Sequence, residues 1–268
     1  MADWDPELYH KFRAYRAAPF AAMMEGLAAA GLHERIIDLG CGTGENTVEL
    51  ARRLTSTGDA LGIDSSPAMI EAALKLRGTL EPALRARVRF EPGDVREFAA
   101  RQEYSMVFSN AVFQWLGDHR GLLRRCFDAL VPGGLLVVQM PANDHETAQV
   151  TLDALAHERP WRSHLAGVRP PSAGVAAPEA YDRMLNELGY ENVDCYYGMF
   201  HHPMGSPAEI VEWCRATVLR RYMDELPPDA REPFVSELTA RLEDAYATRG
   251  PLMFNFRRLF IWARRPAG

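Results

Sequence analysis

The first half of the chain alternates short apolar runs with stretches whose apolar residues recur at helical spacing. Arg35–Leu39 (Arg-Ile-Ile-Asp-Leu) has a buried-strand pattern, and Glu45–Leu54 is helical, with Val48, Leu50, Ala51 and Leu54 near one face. A second strand is predicted over 60–63. After it comes Ser65-Ser66-Pro67, a capping hydroxyl with proline just inside the helix start, which launches the amphipathic run 68–77. Residues 88–91, 105–109 and 135–140 are further strands, the last opened by a Pro132-Gly133-Gly134 turn. Strands alternating with helices predict a parallel sheet covered on both faces, an α/β fold.

The second half is less regular. Residues 141–178 hold Pro141, Pro160, Pro170, Pro171 and Pro178 among polar residues, the composition of a long surface excursion with some helix inside. Pro178–Leu188 reads as a helix ended by Gly189, followed by a strand at 193–200. Residues 207–248 read as two helices separated by Pro227-Pro228, and a last strand spans 253–263. No internal repeat or low-complexity tract appears, and no linker is clear enough to cut the chain. The expectation is one domain over 1–268: N-terminal helices in 1–30, a core in 31–140, and helical insertions at 141–178 and 203–250.

Composition narrows the function classes. With 268 residues, 47% hydrophobic and 25% charged, the chain can bury a sizeable core. Its net charge is -6 and its Lys and Arg residues are scattered, which weighs against nucleic acid as a partner. The start, Met1-Ala2-Asp3-Trp4-Asp5, carries acids where a secretory signal carries bases, and no run approaches ~18 apolar residues. A cytoplasmic protein without membrane association is expected. Cys41, Cys126, Cys195 and Cys214 are far apart, so free thiols are expected rather than disulfides. No metal site is expected either: His201 and His202 are strand neighbours pointing to opposite faces, without an evident third ligand. Oligomeric state stays open.

The chemistry begins at Asp38-Leu39-Gly40-Cys41-Gly42-Thr43-Gly44, where a strand runs out into a helix and glycines let the backbone approach a ligand closely. A dinucleotide fingerprint would need a third glycine at position 45. That residue is Glu45, whose charge at a helix start would also repel a pyrophosphate. Both departures count against NAD. Twenty residues beyond Gly44 stands Asp64, at the end of the next strand, where an acid can accept both hydroxyls of a ribose. Asp94 follows the third strand, where it could meet an adenine amino group. Three acids at three consecutive strand ends point to a nucleoside site.

These residues resemble the seven-stranded S-adenosylmethionine-dependent methyltransferases. Asp38, Gly40, Gly42 and Gly44 match the family pattern Asp-x-Gly-x-Gly-x-Gly, Asp64 its ribose acid and Asp94 its adenine-side acid, with Ser65 and Val95 beside them. Asn110 matches a position that lines the methionine side of the cofactor, and Arg16 is a candidate partner for the cofactor's carboxylate. The resemblance implies S-adenosyl-L-methionine as cofactor and a doubly wound sheet in the order 3-2-1-4-5-7-6, with the seventh strand antiparallel and the helical insertions as a cap.

Further segments outside the glycine loop are similar to the trans-aconitate 2-methyltransferases. They include Asp3-Trp4-Asp5-Pro6, Asn110-Ala111 with Gln114-Trp115-Leu116, Gln139-Met140-Pro141 and Arg258-Leu259-Phe260-Ile261. The resemblance implies methyl transfer to a carboxylate of a small polycarboxylic acid, giving a monomethyl ester. A carboxylate is already ionised near neutrality (pKa of about 4), so no general base and no catalytic side chain is expected. Arg220 and Arg258 are the candidate clamps, since a guanidinium grips a carboxylate bidentately. Beside them stand His202 and the aromatic Trp4, Tyr9 and Trp115, the first two as parts of an N-terminal lid. Two alternatives remain open: a carrier-bound malonyl thioester or an O, N or C atom of a secondary metabolite as acceptor, and a sensor that binds the cofactor without turnover.

Overall fold

The computed structural model describes residues 12–31, 33–55, 57–170, 174–215, 217–247 and 251–268. Trp4 and Tyr9 lie outside the described residues, as does the side chain of Arg16, whose backbone belongs to helix α1 (Arg13–Ala30). Five elements follow in the order expected: β1 (Arg35–Leu39), α2 (Glu45–Leu54), β2 (Asp59–Asp64), α3 (Pro67–Gly78) and, after the short α4 (Pro82–Arg85), β3 (Val88–Pro92). Ser66 caps α3 by accepting from the Met69 N–H, with Pro67 at the first helical position. Next come β4 (Tyr104–Asn110), a 3-10 turn at Phe113–Trp115, α5 (His119–Ala129) and β5 (Leu130–Pro141).

The remaining elements are α6 (Thr147–His157), α7 (Arg162–Leu165), α8 (Pro178–Leu188), β6 (Glu191–Met204), α9 (Pro207–Arg215), α10 (Leu219–Glu225), α11 (Pro228–Ala245) and β7 (Leu252–Arg264). Two expectations need correction. Where two late helices were expected there are three, since α9 ends at Arg215 and α10 starts at Leu219, well before the Pro227-Pro228 break. β5 does not open after the Pro132-Gly133-Gly134 turn but runs through it. The reason is a distant partner: Gly133 N–H donates to the Arg265 carbonyl and Arg265 N–H to that of Gly134, at 3.0 and 2.9 Å.

The seven strands form one sheet in the order β3-β2-β1-β4-β5-β7-β6. β1 lies parallel to β2 (Asp38 beside Gly62) and to β4 (Asp38 beside Phe108), and β4 lies parallel to β5. Gly134 bonds with Arg265 near the start of β5, whereas Ala142 bonds with Arg257 just past its end, so β7 runs antiparallel.

The chain clusters into two compact units. The larger, Pro19–Met140, Gly174–Gly198 and Leu259–Gly268, holds β1 to β4 and the loops at their C-terminal ends. Ile36, Ile37, Met106, Val107, Leu136 and Val137 are each at most 1% exposed, so these strands are covered on both faces. The smaller unit is Met1–Ala18, Pro141–Ala173 and Met199–Arg258, and its core is aromatic, with Phe12, Trp161, Trp213, Tyr222, Phe234 and Phe254 buried together. All four cysteines are free thiols. Among the described residues no helix is long and apolar enough to cross a membrane.

Candidate functional site

The glycine loop joins β1 to α2. Its Gly40 and Cys41 N–H groups both donate to the Ile63 carbonyl at the end of β2, which pins the loop to the neighbouring strand. Gly40 has φ +78°, and a Cβ there would fall well inside van der Waals distance of the Val112 side chain, so only glycine fits between β1 and the segment after β4. Gly42, at φ +55°, is different: nothing lies within 4 Å of the Cβ it lacks, leaving its backbone approachable by a ligand. Gly44 starts α2, and the Thr43 hydroxyl donates to the exposed carboxylate of Glu45.

Asp38 sits beneath this loop, 1% exposed, where it accepts a 2.6 Å hydrogen bond from the Thr47 hydroxyl. Burial first, and the nearby charge of Asp64 as a minor cause, push its carboxyl up to about 7 against the pull of Thr47. Asp38 therefore ties the end of β1 to α2. Asp64 does face the rim. One of its oxygens accepts from the Gly42 N–H at 3.0 Å and the other from the Ser66 N–H at 2.9 Å, so it clamps the glycine loop to the start of α3. Ser65 is exposed beside it. Asp94 accepts from the Arg96 backbone N–H at 2.8 Å and is gripped by the Arg96 side chain, which holds its carboxyl below the usual range. Val95 is buried.

The segment after β4 closes the other side. Ala111 takes φ +59°, an uncommon conformation for a residue with a Cβ. The Gln114 side-chain N–H donates to the Ala111 carbonyl at 2.7 Å, and the 3-10 turn leaves Trp115 48% exposed. A buried pair anchors this turn from behind. His119 Nε2 lies 2.8 Å from the Phe113 carbonyl, which can only accept, so Nε2 carries the proton and Nδ1 accepts from the Tyr181 hydroxyl at 2.5 Å. The buried Asn110 Oδ1 and Gln114 Oε1 find no hydrogen-bond donor among the described residues.

A family model described as a methyltransferase domain matches residues 32–189, the span that carries β1 to β5 and this loop cluster. The chain belongs to the methyltransferase family. The methyltransferase is 36% identical over 271 residues, 99% of each chain, to the trans-aconitate 2-methyltransferase of Methylobacterium radiotolerans. It is 36% identical over 267 residues, 99% of each chain, to the enzyme of that name from Escherichia coli O1:K1. In fold it is similar to loganic acid methyltransferase with S-adenosylhomocysteine, at TM-score 0.73 and 14% identity, covering 99% of this chain and 98% of that one. It is an S-adenosylmethionine-dependent methyltransferase.

The loop geometry fits that cofactor. The open side of Gly42 is a cradle, Asp64 offers an acid for a diol, and the unmatched oxygens of Asn110 and Gln114 call for a donor. The strand order places Asp94, Asp64, the glycine loop and Asn110 in sequence along one rim. Of the acceptor candidates, Trp115 belongs to the larger unit, on the turn after β4, and His202, Arg220 and Arg258 to the smaller one. In the smaller unit His202 is 3% exposed, stacked on Tyr15 at 4.6 Å and on Trp213 at 5.4 Å. Burial, then the charge of Arg258, then that of His201 push its imidazole down to about 4. Arg258 is 5% exposed, its guanidinium 4.5 Å from the centre of the Phe256 ring.

Arg220, on α10, is by contrast exposed, and nothing in its surroundings distinguishes it from an ordinary surface charge. His201 points away from His202 and meets the Asn255 side-chain oxygen at 2.7 Å. Sequence reasoning missed Tyr15, Gln114 and the His119–Tyr181 pair. Gln114 stood in plain view beside Trp115, but only the fold shows that its oxygen is buried without a donor.

Proposed function

We propose that the chain transfers the methyl group of S-adenosylmethionine to a carboxylate of trans-aconitate, giving a monomethyl ester; relatives matched over their full length are named trans-aconitate 2-methyltransferase. The observation that supports this reading on the structural side is Arg258, a guanidinium 5% exposed and 4.5 Å from the centre of the Phe256 ring, whose charge helps keep the His202 imidazole neutral. A guanidinium keeps its charge at any relevant pH and presents a planar fork that matches a carboxylate. A malonyl thioester on a carrier protein would ask for an exposed basic rim instead.

The bound cofactor supplies an electrophilic methyl on a sulfonium. The chain's part is to hold the acceptor oxygen in line and exclude water, which can contribute on the order of 7 to 11 kcal/mol. Arg258 would grip one carboxylate, with Arg220 and Trp115 as further substrate contacts and Trp4 and Tyr9 as part of a lid. His202, with its pKa lowered to about 4, is a poor general base near neutrality. This matches an acceptor that needs none. The insertions at 141–178 and 203–250 would shape the acceptor site, and a cytoplasmic location completes the reading. The test is to incubate the protein with methyl-labelled S-adenosylmethionine and a panel of di- and tricarboxylic acids, then identify labelled esters by mass. Binding of the cofactor with no labelled product from any acid would defeat the substrate reading.

A further inference from the structure

The helical part of the smaller unit holds a cavity of about 440 Å³, and its described lining residues include none of the acceptor candidates. One wall runs from α7 onward and presents His164, Val168 and Arg169; the other is α10, with Arg221, Asp224 and Glu225. Both walls are anchored in the aromatic core. Leu165 and Leu219 are fully buried, Tyr222 is 1% exposed, and Val168 packs against the same cluster. The Arg221 guanidinium donates across to the Arg169 carbonyl at 3.3 Å, which ties one wall to the other. The cavity is thus formed before any ligand arrives, while the charged side chains that line it are exposed and within a ligand's reach.

What the cavity suits follows from how its charge is distributed. Helical spacing puts Arg221, Asp224 and Glu225 on one face of α10, three and four residues apart, where the guanidinium offsets one of the two carboxylates. That wall is therefore net negative. The opposite wall is net positive, with Arg169 as its cation and His164 as a further donor. A polycarboxylate would meet two carboxylates on α10, and a simple amine would meet Arg169. A ligand with a carboxylate at one end and an ammonium at the other finds the opposite sign on each wall. We propose that this cavity is a second binding site, for a small zwitterion of the amino-acid type. Its carboxylate lies on Arg169 and His164 and its ammonium on Asp224 and Glu225. The assignment does not depend on which acceptor is methylated.

The test is an amide NMR titration of the full chain at low ionic strength, because salt screens exposed charges. Glycine, γ-aminobutyrate and ε-aminocaproate serve as zwitterions of increasing charge separation, with butyrate, butylammonium and trans-aconitate as controls. At least one zwitterion should shift the amides of residues 164–169 and 221–225 saturably, and more tightly than any control does. Arg169→Ala should weaken that zwitterion about threefold or more, the scale of one exposed ion pair. Asp224→Asn combined with Glu225→Gln should weaken it likewise while strengthening butyrate, since the α10 wall then turns net positive. All three positions are exposed, where such substitutions leave folding intact. The proposal is overturned if no zwitterion gives a saturable shift at these amides, or if either variant binds the zwitterion as the wild type does. It is overturned too if trans-aconitate binds there more tightly than every zwitterion, which would make the cavity part of the acceptor site.

Discussion

Replacing Asp64 with alanine separates the clamp that the structure shows from the ribose contact proposed for this carboxylate. An ionised carboxylate offers about four acceptor sites. Two are used within the chain, by the Gly42 and Ser66 N–H groups at 3.0 and 2.9 Å, and the rest are left for a ribose diol. A hydrogen bond to a charged group contributes about 1.5 to 3 kcal/mol. Losing one such bond to the ribose should therefore raise the Kd for S-adenosylhomocysteine by roughly 12- to 160-fold. The variant also releases the clamp between the glycine loop and α3, so a lower melting temperature is expected even without ligand. Asp64→Asn keeps one oxygen and should fall between the wild type and Asp64→Ala in both measurements. Calorimetry with S-adenosylhomocysteine, and with NAD as a control that should bind worse, measures the first effect; thermal melting of the ligand-free protein measures the second. A folded Asp64→Ala protein with wild-type affinity would place the ribose elsewhere and refute the assignment.

Arg258→Ala should raise KM for trans-aconitate by an order of magnitude or more while cofactor affinity stays within twofold, since removing one partner of a desolvated charge pair costs about 2 to 5 kcal/mol. Steady-state kinetics with both ligands decides this, and equal loss for both would make Arg258 a structural residue. Arg220→Ala is measured in the same way: the exposed position predicts a smaller rise than at Arg258, and no change at all would remove Arg220 from the acceptor site. The kcat profile should show no ascending limb between roughly pH 6 and 9, because the acceptor is already charged. A single ionisation abolished by His202→Ala would instead argue for base catalysis. Stability carries its own signature of His202, whose pKa falls from 6.5 to about 4 on folding. The unfolded chain binds the extra proton between those values, so this contribution is complete above pH 6.5 and is lost as pH falls toward 4, by up to about 3 kcal/mol. Denaturant titrations at pH 5 and 7 should show a smaller difference in His202→Phe than in the wild type; equal differences would contradict the buried, neutral imidazole.

What could be read from the chain was what depends on neighbours in sequence. β1 and α2 lie where their apolar spacing puts them, and the glycine loop between them follows, because a buried strand, a tight turn and a helix start are all local decisions. Asp64 was legible for the same reason, twenty residues beyond Gly44 at the end of the next strand. The early residues of β5 were not. Pro132-Gly133-Gly134 is a turn by every local rule, and it becomes part of a strand because the backbone of Arg265, at the far end of the chain, completes the ladder. The break between α9 and α10 likewise has no proline or glycine to announce it.

The side chains divide along the same line. Arg220 and Arg258 are equivalent as letters, each an arginine in a patterned segment near the C-terminal half. Their difference is environmental: one lies exposed on a short helix and the other is buried on β7 against Phe256. A clamp depends on how dry its charge is kept, which no local pattern encodes, because it depends on neighbours such as Phe256 packing against it. The reverse holds for Asp64 and Asp94, which stand at strand ends where water still reaches, so that position along the strand suffices to name them as candidates. Hence the candidate cofactor residues can be read from spacing, whereas a choice between candidate acceptor residues needs burial. Two methyltransferases with the same glycine loop and the same strand-end acids can therefore diverge in substrate through residues whose identity is unchanged and whose surroundings are not.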